Sequence, residues 1–353
     1  MGKDIRIILA EDSPTVRHHL RSIIEETPDM QVVGIAKNGI EAIKMVEDLR
    51  PDVVSMDINM PDLDGLEATR HIMAHTPTPI VMVSGLLAID IQLSLQAIEA
   101  GALAVIDKPP NRVHPDFTDK QVQLVKTLRA MAGVKVISRR KSRFNHANAT
   151  GTNQSEQSAS DTNHPKPEII VIGASTGGPS ALLHFIKEMP HNLSVPIVIV
   201  QHMPDEFITG FAQWLAKSTP LRVLIAHNNL VLDEGSIVIA PGNANLSIVR
   251  KEHQLIAQLS TDTAQSRYMP SVDILFTSVA KVIGKQTLAI ILTGMGDDGA
   301  KGLLAIRQAG GTTFVQDEDS AIVFGMPQAA IRCGAVQKII PLANLATKVK
   351  KLL

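Results

Sequence analysis

Apolar positions along the 353-residue chain fall into two series, each alternating short β-branched runs with longer stretches of helical spacing. In the first, Ile5 to Ala10, Gln31 to Ala36, Val53 to Met56, Ile80 to Ser84 and Ala104 to Ile106 read as strands. Between them, Val16, Leu20, Ile23 and Ile24 share one helical face, as do Ala42, Ile43 and Val46. Strands alternating with helices predict an α/β domain with a five-stranded parallel (βα)5 sheet covered on both faces. The second series starts at Ile169, with candidate strands Ile169 to Ile172, Ile197 to Val200, Val223 to Ala226, Ile237 to Ala240, Leu288 to Leu292 and Thr312 to Val315. It predicts a doubly wound, mainly parallel α/β domain, with Leu246 to Arg250 and Leu255 to Leu259 as an inserted hairpin.

The stretch from Ser138 to Pro167 interrupts this pattern. It holds no Val, Ile, Leu or Met, so it cannot bury enough apolar surface to offset its ordering entropy. The expected organisation is an N-terminal domain over 4–125, a flexible linker over 138–167 and a C-terminal domain over 168–353. The basic run Arg139, Arg140, Lys141 and Arg143 opens the linker and fits a solvated end better than an anion site.

A net charge of −1 and only 8 Phe, 1 Tyr and 1 Trp argue against nucleic-acid binding, which needs basic surfaces and stacking platforms. No basic recognition helix follows the linker. Cys333 is the only cysteine, which excludes an intrachain disulfide and a cysteine-based zinc site; it reads as a packed thiol. The first residues lack a signal-peptide layout, and no apolar run approaches the ~18 residues of a membrane span. A cytoplasmic protein that is not membrane-inserted is expected. His71 and His75 have helical i, i+4 spacing but no third ligand beside them.

Ligands of parallel sheets bind beyond the carboxyl ends of the strands. In the N-terminal domain those ends carry Glu11 and Asp12, then Asp57, Ser84 and Lys108. Three converging carboxylates need a cation, and hard oxygen ligands suit Mg²⁺. Lys108 can meet a phosphoryl oxygen, Ser84 can donate a hydrogen bond, and Asp57 becomes a carboxylate nucleophile for a phosphoryl group. Ile8 to Ser13, Met56 to Pro61 with Asp64-Gly65, and Lys108-Pro109 resemble a response-regulator receiver domain over roughly residues 4 to 125. The resemblance implies that Asp57 takes phosphate from a histidine kinase in a two-component phosphorelay. It also implies that Glu11, Asp12, Asp57 and the backbone of Asn59 hold Mg²⁺. Val105 stands where receivers often carry a switch aromatic, so output coupling must use other contacts.

In the C-terminal domain, Ile169 to Ile172 runs into Gly173-Ala174-Ser175-Thr176-Gly177, a G-x-S-x-G turn. Alone it fits an exposed nucleophile and an ordinary tight glycine turn equally well. His202 follows the next strand and can serve as base, with His227 the main competitor. Asp297 and Asp298 follow strand Leu288 to Leu292 and offer the orienting acid. The same residues interrupt Gly294-x-Gly296-x-x-Gly299, a dinucleotide-like pattern where they would repel a pyrophosphate.

Glu168 to Pro179, Gln201-His202-Met203, Pro270 to Asp273, Leu292 to Gly299 and Phe324 to Pro327 resemble the chemotaxis protein-glutamate methylesterases. The resemblance implies a hydrolase that removes γ-methyl esters from glutamates of methyl-accepting chemotaxis receptors, releasing methanol, and deamidates receptor glutamines. It implies Ser175 as nucleophile, His202 as base and Asp298 as the acid, with no cofactor at this site. Backbone N–H groups of Thr176 and Met295 are the expected oxyanion donors. A receiver docked over Ser175 and loosened by phosphorylation of Asp57 is the expected control. A binding output domain and an esterase of small molecules are the alternatives.

Overall fold

The computed structural model describes residues 4–85, 91–134, 136 and 165–353. The basic run at 139–143 and nearly all of the expected linker lie outside these residues. The N-terminal domain contains β1 (Ile5–Ala10), α1 (Pro14–Glu25), β2 (Met30–Ala36), α2 (Gly39–Leu49), β3 (Val53–Met56), α3 (Gly65–His75), β4 (Ile80–Ser84), α4 (Ile91–Ala100), β5 (Ala104–Asp107) and α5 (Phe117–Ala132). Its five strands pair in parallel, in the order β2-β1-β3-β4-β5. Alternate residues face opposite sides: Ile8, Val54 and Met56 pack one core with Ala42, Val46 and Ile72, while Ile7, Leu9 and Val53 pack the other with Leu20, Ile23 and Leu124. Polar side chains start the helices: Ser13, Asn38 and Asp64 cap α1, α2 and α3. Helix α5 runs past residue 125 to Ala132 and buries Leu128 and Met131 in the second core.

The C-terminal domain contains β6 (Ile169–Ala174), α6 (Gly178–Lys187), β7 (Ile197–Gln201), α7 (Asp205–Ala216), β8 (Arg222–Ile225), β9 (Ser236–Ile239), β10 (Asn245–Lys251) and β11 (Gln254–Ser260). There follow α8 (Val272–Val282), β12 (Thr287–Ile291), α9 (Ala300–Gln308), β13 (Thr312–Gln316), α10 (Gly325–Arg332), β14 (Lys338–Ile340) and α11 (Leu342–Lys350). Seven strands form one parallel sheet in the order β14-β13-β12-β6-β7-β9-β8. One face packs Phe185, Phe211, Leu215 and Leu345; the other packs Phe276, Val279, Leu303 and Met326. The hairpin of β10 and β11 is antiparallel and forms its own two-stranded sheet outside the parallel one. The chain winds outward from β6 in both directions, so the switch point lies where β6 meets β12.

The two domains touch through α4, α6 and α7. Leu95 of α4 joins the C-terminal core, and Phe207 of α7 packs on the N-terminal one. Among the described residues, no helix is long and apolar enough to cross a membrane.

Candidate functional sites

The carboxyl edge of the N-terminal sheet gathers Glu11, Asp12 and Asp57, with one carboxylate oxygen from each lying within 4.8 Å of the others. Lys108 Nζ sits 2.7 Å from Glu11 Oε2 and 2.8 Å from Asp57 Oδ2. Asp57 Oδ1 accepts the N–H of Ile58 at 2.8 Å. Burial pushes the carboxyls of Glu11 and Asp57 above their ordinary values, more than Lys108 lowers them. Burial pulls Lys108 down, but its bonds to Asp57 and Glu11 outweigh this and hold it raised. Lys108 pairs with two of the three acids, Glu11 and Asp57, and the all-oxygen donor set of the three fits a hard divalent cation. Ser84, buried, ends β4 at the same edge, while Asn59 is exposed just after Asp57. The histidine pair of α3 stacks at 4.2 Å between ring centroids, apart from this cluster.

In the C-terminal domain, β6, β7 and β12 bring the serine, histidine and acid to the switch point. The Ser175 turn is tied down on several sides. Its N–H donates to Thr293 O at 3.1 Å, and its carbonyl accepts from Gly178 N at 2.8 Å and Gln201 Nε2 at 2.9 Å. Gly177 has φ +77°, and a Cβ there would meet Ile322 at 2.7 Å, so only glycine fits. Among the described residues, the N–H groups of Thr176 and Met295 have no hydrogen-bond acceptor in the protein. Both residues line the same cavity as Ser175.

His202 Nε2 lies 2.8 Å from Asp298 Oδ2. An ionised carboxylate only accepts, so the Nε2 proton faces the acid and Nδ1 remains the acceptor. Asp298 is buried at the N-terminus of α8. Its Oδ2 also accepts Val272 N at 2.7 Å, and its Oδ1 accepts Ser271 Oγ at 2.9 Å and Asp273 N at 3.0 Å. Burial pushes its carboxyl up, but the bonds from His202, Val272 and Asp273 outweigh this and hold it below the ordinary aspartate value. Ser175 Oγ makes no hydrogen bond to His202 here, a looseness common before substrate is bound.

The neighbouring Asp297 points outward to Arg267 at 2.6 Å and does not reach the imidazole. His227 is engaged with Asn228 O. The dinucleotide-like turn is spent on the acid, which reaches across from it to the N-terminus of α8. Cys333, read as packed, is exposed; its thiol donates to the carbonyls of Ala300 and Ala330 at a helix end that does not close over it. The role of Ser271, which reaches Asp298 from a distant loop, was carried in the sequence only by the Pro270 to Asp273 motif.

A cavity of about 290 Å³ lies between the two domains. Its walls include Val105, Ile106 and Gln123 from the N-terminal domain and Ser175, His202 and Met295 from the other. The N-terminal domain thus roofs the serine cleft.

The profile of the CheB methylesterase family matches residues 170–349, and that of the response regulator receiver domain matches residues 7–114. A protein of Methanospirillum hungatei named "Protein-glutamate methylesterase/protein-glutamine glutaminase 2" is 42% identical over 349 residues, spanning 99% of this chain and 98% of its own. A relative from Myxococcus xanthus, "Protein-glutamate methylesterase/protein-glutamine glutaminase 4", is 41% identical over 98% of this chain and 96% of its own. The crystal structure of the Thermotoga maritima CheB methylesterase catalytic domain superposes with a TM-score of 0.52 at 34% identity, covering 53% of this chain and 99% of that one.

Proposed function

This chain belongs to the CheB methylesterase family and carries a response regulator receiver domain, and from that premise we infer that it is a phosphorylation-regulated protein-glutamate methylesterase and protein-glutamine glutaminase of chemotaxis. Its substrates are glutamate γ-methyl esters and selected glutamines of methyl-accepting chemotaxis receptors. The receiver spans 4–125 with its helix continuing to Ala132, and the catalytic domain spans 168–353. The observation that carries the chemistry is the buried Asp298 holding His202 at the mouth of the Ser175 cleft.

Ser175 attacks the ester carbonyl as His202 Nδ1 takes its proton. Asp298 keeps the Nε2 proton in place and stabilises the imidazolium. The N–H groups of Thr176 and Met295 bind the oxyanion. His202 then gives its proton to the departing methoxide oxygen, which leaves as methanol, and water attacks the acyl enzyme by the reverse route. Deamidation follows the same steps with ammonia leaving. The esterase site needs no cofactor, since the nucleophile, base and oxyanion donors are all supplied by the chain.

In the receiver, Asp57 accepts a phosphoryl group from a chemotaxis histidine kinase. Glu11, Asp12, Asp57 and the backbone of Asn59 would hold Mg²⁺, which when bound neutralises charge at the phosphoryl oxygens. Lys108 pairs with a phosphoryl oxygen and Ser84 donates to another. The unphosphorylated receiver keeps receptor out of the Ser175 cleft, and phosphorylation shifts the population toward an undocked arrangement. The Ser175→Ala variant tests the chemistry: it should fold like the parent and release no methanol from methylated receptor. Retained release would contradict the triad.

A further inference from the structure

Asp298 fixes only one atom of the His202 ring. A single hydrogen bond at Nε2 leaves the imidazole free to roll about that contact, which would re-aim Nδ1, the proposed base atom. Tyr268 packs against this ring. Its ring lies parallel to the imidazole in an offset stack, with centroids 5.1 Å apart and planes within 6°. The tyrosine is itself clamped. Its hydroxyl accepts from Arg267 Nη2 at 3.1 Å and donates to Asp297 Oδ1 at 3.3 Å, and Arg267 bonds the same Asp297 oxygen at 2.6 Å. The guanidinium carbon also sits 5.0 Å from the Tyr268 ring centroid. On the other side, a Cβ at Gly296 would fall 2.8 Å from the hydroxyl, so the turn carrying Asp297 and Asp298 closes directly on it.

We propose that Tyr268 is a positioning residue for the hydrolysis, setting the plane of the His202 ring, and that the Arg267–Asp297 pair serves to anchor Tyr268. The two partners of that pair are 71% and 60% exposed, and an ion pair so open to water adds little to stability. Its place beside the tyrosine gives it a different use. Adjacent residues of one turn then divide the work: Asp298 holds an edge of the imidazole, and Asp297 holds the ring that holds its face. The flat ring also offers its π face to the imidazolium that forms as Ser175 loses its proton.

The inference rests on the proposed triad, and the experiment separates the two. Full-length chain, activated with acetyl phosphate, is assayed for methanol release from methylated receptor membranes as Ser175→Ala, Tyr268→Leu and Tyr268→Phe. The expected result is that Tyr268→Leu lowers kcat about three- to tenfold, the range an aromatic pair supplies, with KM unchanged. Tyr268→Phe, which keeps the stack and the Arg267 contact with the ring but loses the hydroxyl bonds to Arg267 and Asp297, should restore part of kcat. The low-field proton resonance of the His202–Asp298 bond should persist with Phe and broaden with Leu. A parental kcat in Tyr268→Leu, an equal loss in Leu and Phe, or a raised KM at unchanged kcat would each overturn the proposal. If Ser175→Ala stays active, the triad itself fails; if it is inactive while Tyr268→Leu is at full rate, only the role of Tyr268 fails.

Discussion

Trp214 of the esterase domain donates its indole N–H to Glu99 of the receiver at 2.6 Å. This bond lies at the packed meeting of α4 and α7, where Leu95 and Phe207 each enter the other domain's apolar cluster. Val105 and Phe207 line one cavity, so an aromatic side chain from the esterase stands near the receiver position that lacks its own.

If docking holds the site closed, loosening it must raise the unstimulated rate. Glu99→Ala removes a bond worth about 1 kcal/mol net, which shifts the closed-to-open ratio about fivefold. Basal methanol release should rise by up to that factor, with the phosphodonor-stimulated rate little changed. Phe207→Ala and deletion of residues 1–140 should act in the same direction. Unchanged or lower basal rates in all three would mean that the receiver activates without blocking.

The raised carboxyls of the receiver predict a stability effect of defined sign. A carboxyl lifted above its unfolded value favours the folded state when protonated, and that contribution is lost as pH rises through the lifted value. At neutral pH, ionised Asp57 therefore costs stability. Asp57→Asn should raise the melting temperature in metal-free buffer, and the gap should close on acidification toward the ordinary aspartate value of about 3.9. Added Mg²⁺ should raise the melting temperature of the parent more than that of the variant. A variant melting below the parent at neutral pH would contradict the assignment of Asp57 as a charge-strained residue.

Asp298 has the opposite sign. Its lowered carboxyl contributes stability that is present above the unfolded value and is lost as pH falls through the folded one. Asp298→Asn should lose stability at pH 7, with the difference shrinking as the medium is acidified below about pH 4. Its kcat should fall by about 10⁴-fold, against a smaller loss in Asp297→Asn. The reverse ranking in methanol release would move the acid to Asp297.

The Ser175 turn depends on Gly177. Alanine there must adopt φ +77° and push against Ile322, at a cost of about 1–3 kcal/mol. Gly177→Ala should melt earlier and lose activity, because the displaced turn carries Ser175, the proposed nucleophile. A variant with parental melting and parental kcat would show that the turn tolerates a side chain.

Much of this was legible in the sequence because of where parallel sheets put their chemistry. Runs such as Ile197 to Val200 announce strands through β-branched residues, and the polar residues just beyond them fall at the carboxyl edge by geometry alone. Strand β14 was not foreseen: three residues, Lys338 to Ile340, are too few to display an alternation. The hairpin was foreseen as an insertion among the strands, but whether it joins the sheet depends on packing against α8. Ser271 and Tyr268 were out of reach as acid holder and ring partner, since they approach the site from a loop whose path only the fold defines. Nothing in the sequence marks Leu95 and Phe207 as contacts between domains, because an interdomain apolar contact has the same spacing as an internal one.

The most direct measurement is methanol release from methylated receptor membranes by the full chain, with and without acetyl phosphate, beside Ser175→Ala under both conditions. The expected result is slow release that the phosphodonor accelerates in the parent, and none in the variant. Release by Ser175→Ala, or no release from the parent under either condition, would contradict a phosphorylation-controlled serine methylesterase.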